Sequence, residues 1–264
     1  LYAGRLAAAR ARMAEDGLDA LVVYGDREHF ANLAYLTGFD PRFEEALLLL
    51  DRDGAGKLLV GNECMGYLPD AALGLDVELF QEFSLLGQPR AQSRPLRNIL
   101  SSFGIRRGVQ VGCVGWKYFD SGLIAGWEEE EALDVPAYLA DLLRGLCGVR
   151  KPVVNATALF MNPYDGLRVV NEPEQIAQFE YAATVTSAGV LDLLRHLAPG
   201  AREQNLERFL DSRGLPLSCH RMIGFGDKAR RGLASASARR VVLGDVFTVA
   251  FGVTGGLTCR AGCI

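Results

Sequence analysis

Apolar residues in the first half of the chain alternate between helical spacing and short continuous runs. Segment 5–16 carries apolar side chains three and four residues apart and is followed by Gly17, which predicts a helix ended by a left-handed glycine. Segment 18–24 is almost continuously apolar, as in a buried strand. The other predicted strands are 46–50 and 57–60, joined as a hairpin, and 77–83 and 109–116; the other predicted helices are 28–36, 95–103 and 136–147. Because strands alternate with helices, an α/β fold is expected here.

The second half opens with the longest helical pattern, 171–197. Asn171 and Glu174 have the spacing of a capping box at its start, and Pro199-Gly200 ends it. A shorter helix is predicted over 204–210. The predicted buried face of the long helix consists of Ile176, Phe179, Ala183, Val190, Leu194 and Leu197.

A hairpin is predicted over 241–263, VVLGDVFTVAFGVTGGLTCRAGC. Gly244-Asp245 has the composition of a tight turn, and 246–251 is a β-branched and aromatic run typical of a strand. Segment 252–256 indicates a loose, glycine-rich reversal, and 257–263 is the predicted return strand. Two helices followed by a hairpin predict helices packed on one side of an antiparallel sheet.

These segments resemble the creatinase, prolidase, aminopeptidase P and methionine aminopeptidase family, which has the pita-bread fold. NEPEQIAQFEYAATVTSAGVLDLLRHLAPGAREQNL is similar to the helix that opens the pita-bread domain, GLPLSCHRMIGFG resembles its next segment, and 241–263 resembles its first hairpin. The N-terminal half resembles the smaller domain that creatinases, prolidases and aminopeptidases P carry in front. The resemblance implies an N-terminal creatinase-like α/β domain, 1–160, then the first half of a pita-bread α+β domain, 161–264, with the family's crossing segment near 150–159.

The resemblance also implies a metal site, which this chain does not match. Catalytic members hydrolyse peptide or amide bonds with two divalent metals, such as Mn, Co or Zn, held partly by two Asp of this hairpin; the remaining ligands would follow Ile264. The first Asp corresponds to Ala250 and the second to Leu257 or Arg260, while the family's substrate-contacting His corresponds to Leu233. Hard cations take oxygen ligands, which these side chains lack. We therefore expect no metal ligands here and no cofactor.

Creatinase itself works without metal, through a His that also corresponds to Leu233, so His220 is the nearest remaining candidate for an acid or base. Its neighbour Cys219 is not expected to pair with it, because adjacent strand residues point to opposite faces. Arg260 and the pair Arg230-Arg231 are candidates for binding a carboxylate or phosphate; structural ion pairs are the alternative.

Composition and charge indicate which classes of binding partner are not expected. The net charge is −4 and basic residues do not cluster, so nucleic acid is not expected; no apolar run approaches the ~20 residues of a membrane span. The six cysteines include no C-x-x-C pair, which favours small buried thiols in a reducing cytoplasm. His29 is interpreted as a packed or surface side chain, and the acidic run 128–131 as a solvated loop.

Two functions from different classes follow. The first is a divergent Xaa-Pro peptidase or creatinase-family hydrolase of peptide or C–N bonds whose dinuclear metal site is lost in this chain. The second is a non-catalytic ligand-binding or interaction protein on the same scaffold. Both would take a small peptide-like or amidino ligand. Family members commonly dimerise, so a homodimer is expected, and a sheet left open after the hairpin indicates a partial chain or one completed by a partner.

Overall fold

The computed structural model describes residues 1–119, 131–148 and 152–264. The chain divides into two compact units, Leu1–Val170 and Asn171–Ile264. Residue 160, where the domain boundary was expected, lies inside a short helix of the first unit, Ala158–Met161. The predicted acidic loop and crossing segment lie partly outside the described residues, at 128–130 and 150–151.

The first unit contains a six-stranded mixed sheet. Its strands are β1 (Ala20–Gly25), β2 (Ala46–Asp51), β3 (Gly56–Val60), β4 (Asp76–Leu79), β5 (Val111–Val114) and β6 (Val153–Asn155). Its helices are α1 (Tyr2–Glu15), α2 (Ala31–Thr37), α3 (Leu96–Ser102), α4 (Ala137–Cys147) and α5 (Ala158–Met161). The strand order is β4-β3-β2-β1-β5-β6, with β1 antiparallel to β2 and parallel to β5. The predicted hairpin of β2 and β3 is confirmed.

Both faces of this sheet are covered, which explains why β1 and β2 are continuous apolar runs. Leu33 of α2 packs with α1 and α5 on one face, in a core that includes Leu21. Leu143 of α4 packs with α3 on the other face, in a core that includes Val22. Successive residues of β1 thus enter different cores, as the two-residue period of a strand requires.

The second unit is a three-stranded antiparallel sheet with helices. The strands are β7 (Met222–Phe225), β8 (Val246–Val253) and β9 (Gly256–Cys263), in the order β7-β8-β9; the helices are α6 (Pro173–Arg195), α7 (Glu203–Glu207) and α8 (Asp227–Arg230). Residues of α6 and α7 share one core with Phe251. The short helix α8, which was not predicted, lies on the other face, where Gly224 approaches Lys228 and Ala229. The expected one-sided packing therefore holds for α6 and α7 only.

The details predicted for α6 are wrong in part. Val190 is buried as predicted, and Leu194 and Leu197 pack against the core. The N-cap of α6 is Glu172 and no side chain caps the helix, so the capping box at Asn171 does not form. Ile176 and Phe179 are 47% and 38% exposed. The buried residues are Ala182, Val185, Thr186, Gly189, Val190 and Leu193. The helix presents a face of smaller residues because an aromatic ring of β8 lies against it: a Cβ on Gly189 would be 2.9 Å from Phe251.

The predicted loose reversal at 252–256 is a tight hairpin. Strand β8 continues through Val253, which pairs with Gly256, so only Thr254 and Gly255 form the turn. Gly255 has φ +93°, a conformation that favours glycine. Gly256 is also required, since a Cβ there would lie 2.6 Å from the backbone carbon of Ala182.

The cysteine prediction holds in part. All six thiols are free, and Cys64, Cys113 and Cys147 are buried; Cys219 is half-buried, and Cys259 and Cys263 are exposed. The last two lie on β9, the outer strand of its sheet, so burial was wrongly expected for them. Within the described ranges, we find no helix that is both long and apolar enough to cross a membrane.

Candidate functional site

The face of the second sheet that carries Ala250 is the place where the resemblance implies metal ligands. Ala250 pairs with Met222 of β7 and Cys259 of β9, and paired residues of antiparallel strands point to the same face. Ala250 is fully buried. A methyl group therefore occupies the centre of this face.

The strand register separates the two positions considered for the second ligand. Leu257 pairs with Gly252, which shares the face of Ala250, whereas Arg260 pairs with Val249 on the opposite face. Leu257 is 60% exposed. The guanidinium of Arg260 is exposed, and its Nη1 donates to the carbonyl oxygen of Cys259 at 2.6 Å.

A two-metal site does not fit the residues present on this hairpin. Such a site needs bridging carboxylates, and neither Ala250 nor Leu257 has a donor atom. In residues 1–119, 131–148 and 152–264, no group of three or more His, Cys, Asp or Glu side chains is arranged to hold a metal ion.

A surface pocket of about 330 Å³ lies beside α8. Its lining consists of Asp227, Lys228, Arg231, Gly232, Leu233 and Ala234. The lining segment, 227–234, lies on the same sheet face as Ala250. Thr248, which is two residues before Ala250 on β8 and shares its face, donates its hydroxyl to the carbonyl oxygen of Gly232 at 3.4 Å. Arg231 is exposed at the rim and Leu233 is 51% exposed. The pocket therefore combines the charged side chains of Asp227, Lys228 and Arg231 with the apolar side chain of Leu233.

The structure does not bring the predicted arginines together. Arg231 lines the pocket, while Arg230 lies 3.8 Å from Asp227 in an exposed ion pair. Arg260 is on the other face of the sheet, with Val249. Only one of the three predicted arginines therefore contributes to the pocket.

His220 lies before β7 and is exposed. The residues that the structure describes offer it no hydrogen-bond partner that would fix its ring. The adjacent Cys219 is half-buried. Nothing in this arrangement orients His220 toward a reacting group.

Sequence reasoning missed a buried carboxylate that ties the elements around the pocket together. Glu203, at the start of α7, is fully buried and accepts hydrogen bonds from Lys228 Nζ at 2.6 Å, Ser237 N at 2.7 Å and Phe225 N at 3.0 Å. Burial alone would raise the pKa of Glu203, but the hydrogen bonds from Lys228 and Ser237 outweigh it and lower that pKa. Its side-chain partners are 25 and 34 residues away, so no local pattern identifies it.

A second carboxylate holds the turn that was predicted at Gly244-Asp245, before β8, through a partner that was not predicted. Asp245 accepts two hydrogen bonds from Arg239, at 2.6 and 2.9 Å, and one from Val242 N at 2.8 Å. The hydrogen bond from Arg239 lowers the pKa of Asp245. The pair fixes the backbone reversal at Gly244, which has φ +89°.

Comparison with known proteins bears on the fold of the chain. Residues 5–94 match the family model of the Creatinase/Prolidase N-terminal domain. No curated protein matches the sequence. Among solved structures, the chain is similar to the dipeptidase PepE from Mycobacterium ulcerans, with TM-score 0.71 and 21% identity over 100% of this chain and 65% of that chain. It is also similar to the prolidase from Pyrococcus horikoshii OT3, with TM-score 0.69 and 14% identity over 99% of this chain and 65% of that chain.

These findings show that the chain has the creatinase/prolidase fold. Residues 5–94 are its Creatinase/Prolidase N-terminal domain, and the second unit corresponds to part of a pita-bread domain. The chain spans about 65% of the length of these two solved relatives.

Proposed function

We propose that this chain is a ligand-binding protein on the prolidase scaffold, and that its hairpin does not form a dinuclear metal site. The observation that carries the proposal is the pair of apolar side chains, Ala250 and Leu257, on the sheet face where carboxylates would be required. Divalent metals bind oxygen ligands, so these two positions cannot hold them.

The pocket beside α8 supports binding of a small peptide-like or amidino ligand on this face. Arg231 offers a planar guanidinium that can hold a carboxylate through two parallel hydrogen bonds. Leu233 offers an apolar contact in place of a histidine. We assign Arg231 to the ligand's carboxylate; the roles predicted for His220, Arg230 and Arg260 stay predictions.

The first test is metal content together with hydrolysis of an Xaa-Pro dipeptide. The purified chain is incubated with Mn²⁺, desalted and analysed for bound metal, and Ala-Pro cleavage is measured with and without Mn²⁺ beside a metal-dependent prolidase. We expect no stoichiometric metal and no cleavage. Two metal ions per chain with Mn²⁺-dependent cleavage would overturn the proposal and establish a divergent hydrolase.

A metal-free hydrolase is the other outcome that would contradict the proposal. It would cleave Ala-Pro equally well with a chelator present, and His220→Ala would abolish the activity if His220 is its acid or base.

Binding itself is tested by calorimetry with Ala-Pro. Arg231→Gln should weaken the affinity about tenfold, the scale of a lost charge-assisted hydrogen bond. Arg195→Gln removes the same charge from an exposed position at the end of α6 and should leave the affinity unchanged. Equal weakening by both variants would show a general charge effect and remove the assignment of Arg231.

A further inference from the structure

In the first unit, β1 and β5 end side by side. The two strands are parallel, with Ala20 beside Val111 and Val23 beside Val114. The chain leaves β1 through α2 on one face of the sheet, while α4, between β5 and β6, lies on the other face. The loops therefore diverge. In open α/β sheets such a divergence leaves a crevice outside the carboxyl ends of the strands, and ligands bind there.

The loop after β1 presents a fixed carboxylate and imidazole. Asp26 Oδ1 accepts hydrogen bonds from the backbone N of Glu28 and of His29, both at 2.8 Å, and lies 3.1 Å from His29 Nδ1. The ring of His29 stacks on Trp116, which follows β5, with centroids 4.0 Å apart. The side chains of Asp26 and His29 are 27% and 33% exposed, so a ligand can reach them.

A second carboxylate faces this loop across the end of the sheet. Gly25 and Ala46 are the last paired residues of β1 and β2, so Asp26 and Glu45 follow on opposing strands. Glu45 Oε2 accepts hydrogen bonds from Tyr24 at 2.7 Å and Tyr138 at 3.1 Å.

Glu45 has no cationic partner in the part of the chain that the structure describes. Its side chain is half-buried, and its other oxygen, Oε1, accepts no hydrogen bond from a described residue. Burial, together with the hydrogen bond to Glu45 and the charge of Asp26, raises the pKa of Tyr24, so this phenol remains a hydrogen-bond donor. The crevice therefore carries two negative charges beside aromatic rings.

We infer that this crevice binds a small organic cation, an ammonium or guanidinium group, between Glu45 and the Trp116–His29 stack. Glu45 Oε1 supplies a charge-assisted hydrogen bond to the cation. Trp116 and the 48% exposed Tyr138 supply π faces, which attract cations. An anion is repelled by Asp26 and Glu45, and the described side chains provide no three-ligand arrangement for a metal ion.

The test is calorimetric titration of the full chain with methylguanidinium chloride and, separately, with methylammonium chloride, against sodium chloride at equal ionic strength. We expect saturable binding of at least one organic cation and none of sodium. The cation that binds with the higher affinity identifies whether the ligand carries a guanidinium or an ammonium group.

Glu45→Gln is the decisive variant, because glutamine still accepts hydrogen bonds from Tyr24 and Tyr138 but has no charge. Affinity should fall about tenfold or more. Glu15→Gln, at an exposed position at the end of α1, is the matched control and should bind as the wild type does. Trp116→Leu should also weaken methylguanidinium binding relative to the wild type, because the π face is lost.

Absence of saturable binding by both cations, or equal affinity in the wild type and Glu45→Gln, would overturn the inference. The crevice belongs to the first unit and the hairpin to the second, so metal binding or Ala-Pro cleavage neither supports nor contradicts this site.

Discussion

The buried carboxylate of Glu203 couples the stability of the second unit to pH. Glu203 has no exposed surface, yet the hydrogen bonds from Lys228, Ser237 and Phe225 keep its pKa below the ordinary value of 4.5. A group whose pKa is lower in the folded state stabilises the fold above its ordinary pKa, and this contribution is lost as the pH falls through the folded value.

Glu203→Gln should therefore destabilise the protein at pH 7 by about 3 kcal/mol, because Lys228 loses its anionic partner in a buried network. The difference between the wild type and the variant should be constant above pH 4.5 and shrink as the pH falls below it. Urea unfolding at a series of pH values measures this difference. Glu180→Gln, at an exposed position on α6, should change stability by less than about 0.5 kcal/mol throughout.

At the scale of elements, the sequence predicts that a helix or strand exists, and which of the two it is, better than it predicts the element's buried face and its ends. The alternation of apolar runs and helical spacing predicted β1 to β3 and α1 to α4 of the first unit, because each element's period depends only on local residues. The short helix α5 was not predicted. The predicted face of α6 was wrong at Ile176, Phe179 and Ala183, which are exposed, because spacing shows that a stripe exists but not which stripe the sheet contacts. Phe251, 62 positions after Gly189, decides that face.

The corrected face of α6 predicts the outcome of truncating two of its residues. Val185→Ala should cost about 2 kcal/mol, because this side chain is 1% exposed. Ile176→Ala removes more atoms but should cost less than about 1 kcal/mol, since Ile176 is 47% exposed. Denaturant unfolding compares the two variants. A larger loss of unfolding free energy in Ile176→Ala than in Val185→Ala would support the buried face inferred from spacing.

The tight hairpin predicts different effects on stability for alanine substitution at two glycines of the same sheet. Gly256→Ala should destabilise by about 2 kcal/mol, because its Cβ would lie 2.6 Å from the backbone of Ala182. Gly224→Ala should be tolerated, since its Cβ would meet Lys228 and Ala229 at ordinary distances of 3.5 Å and more. Thermal unfolding of both variants tests the register of β8 and β9; equal stability would contradict it.

At the scale of the whole molecule, the residues of the hairpin were identifiable from sequence but their arrangement was not. Counting along the chain from Gly244 named Ala250 for the first position and left Leu257 and Arg260 as alternatives for the second. That Arg260 lies on the opposite face depends on a two-residue turn, and shifting the register by one residue reverses every side chain. The crevice at Glu45 and Trp116 could not be found, because its residues are distant in sequence.

The homodimer implied by the family resemblance remains a proposal. Strand β9 is the outer strand of its sheet, so its free edge offers backbone donors and acceptors to a second copy. Light scattering after size-exclusion chromatography should give twice the 28.6 kDa of one chain. A single-chain mass that persists as the protein concentration is raised would contradict this proposal.

The order of strands in the first sheet also has a kinetic consequence. Strands β1 to β4 are neighbours in both sequence and space, whereas β1 meets β5 only after some 90 residues, as the contact of Asp19 with Gln110 shows. Contacts distant in sequence form slowly because they require a long loop to close. We expect β1 to β4 to assemble first and β5 to join late, so the crevice between β1 and β5 should be among the last parts of the first unit to form.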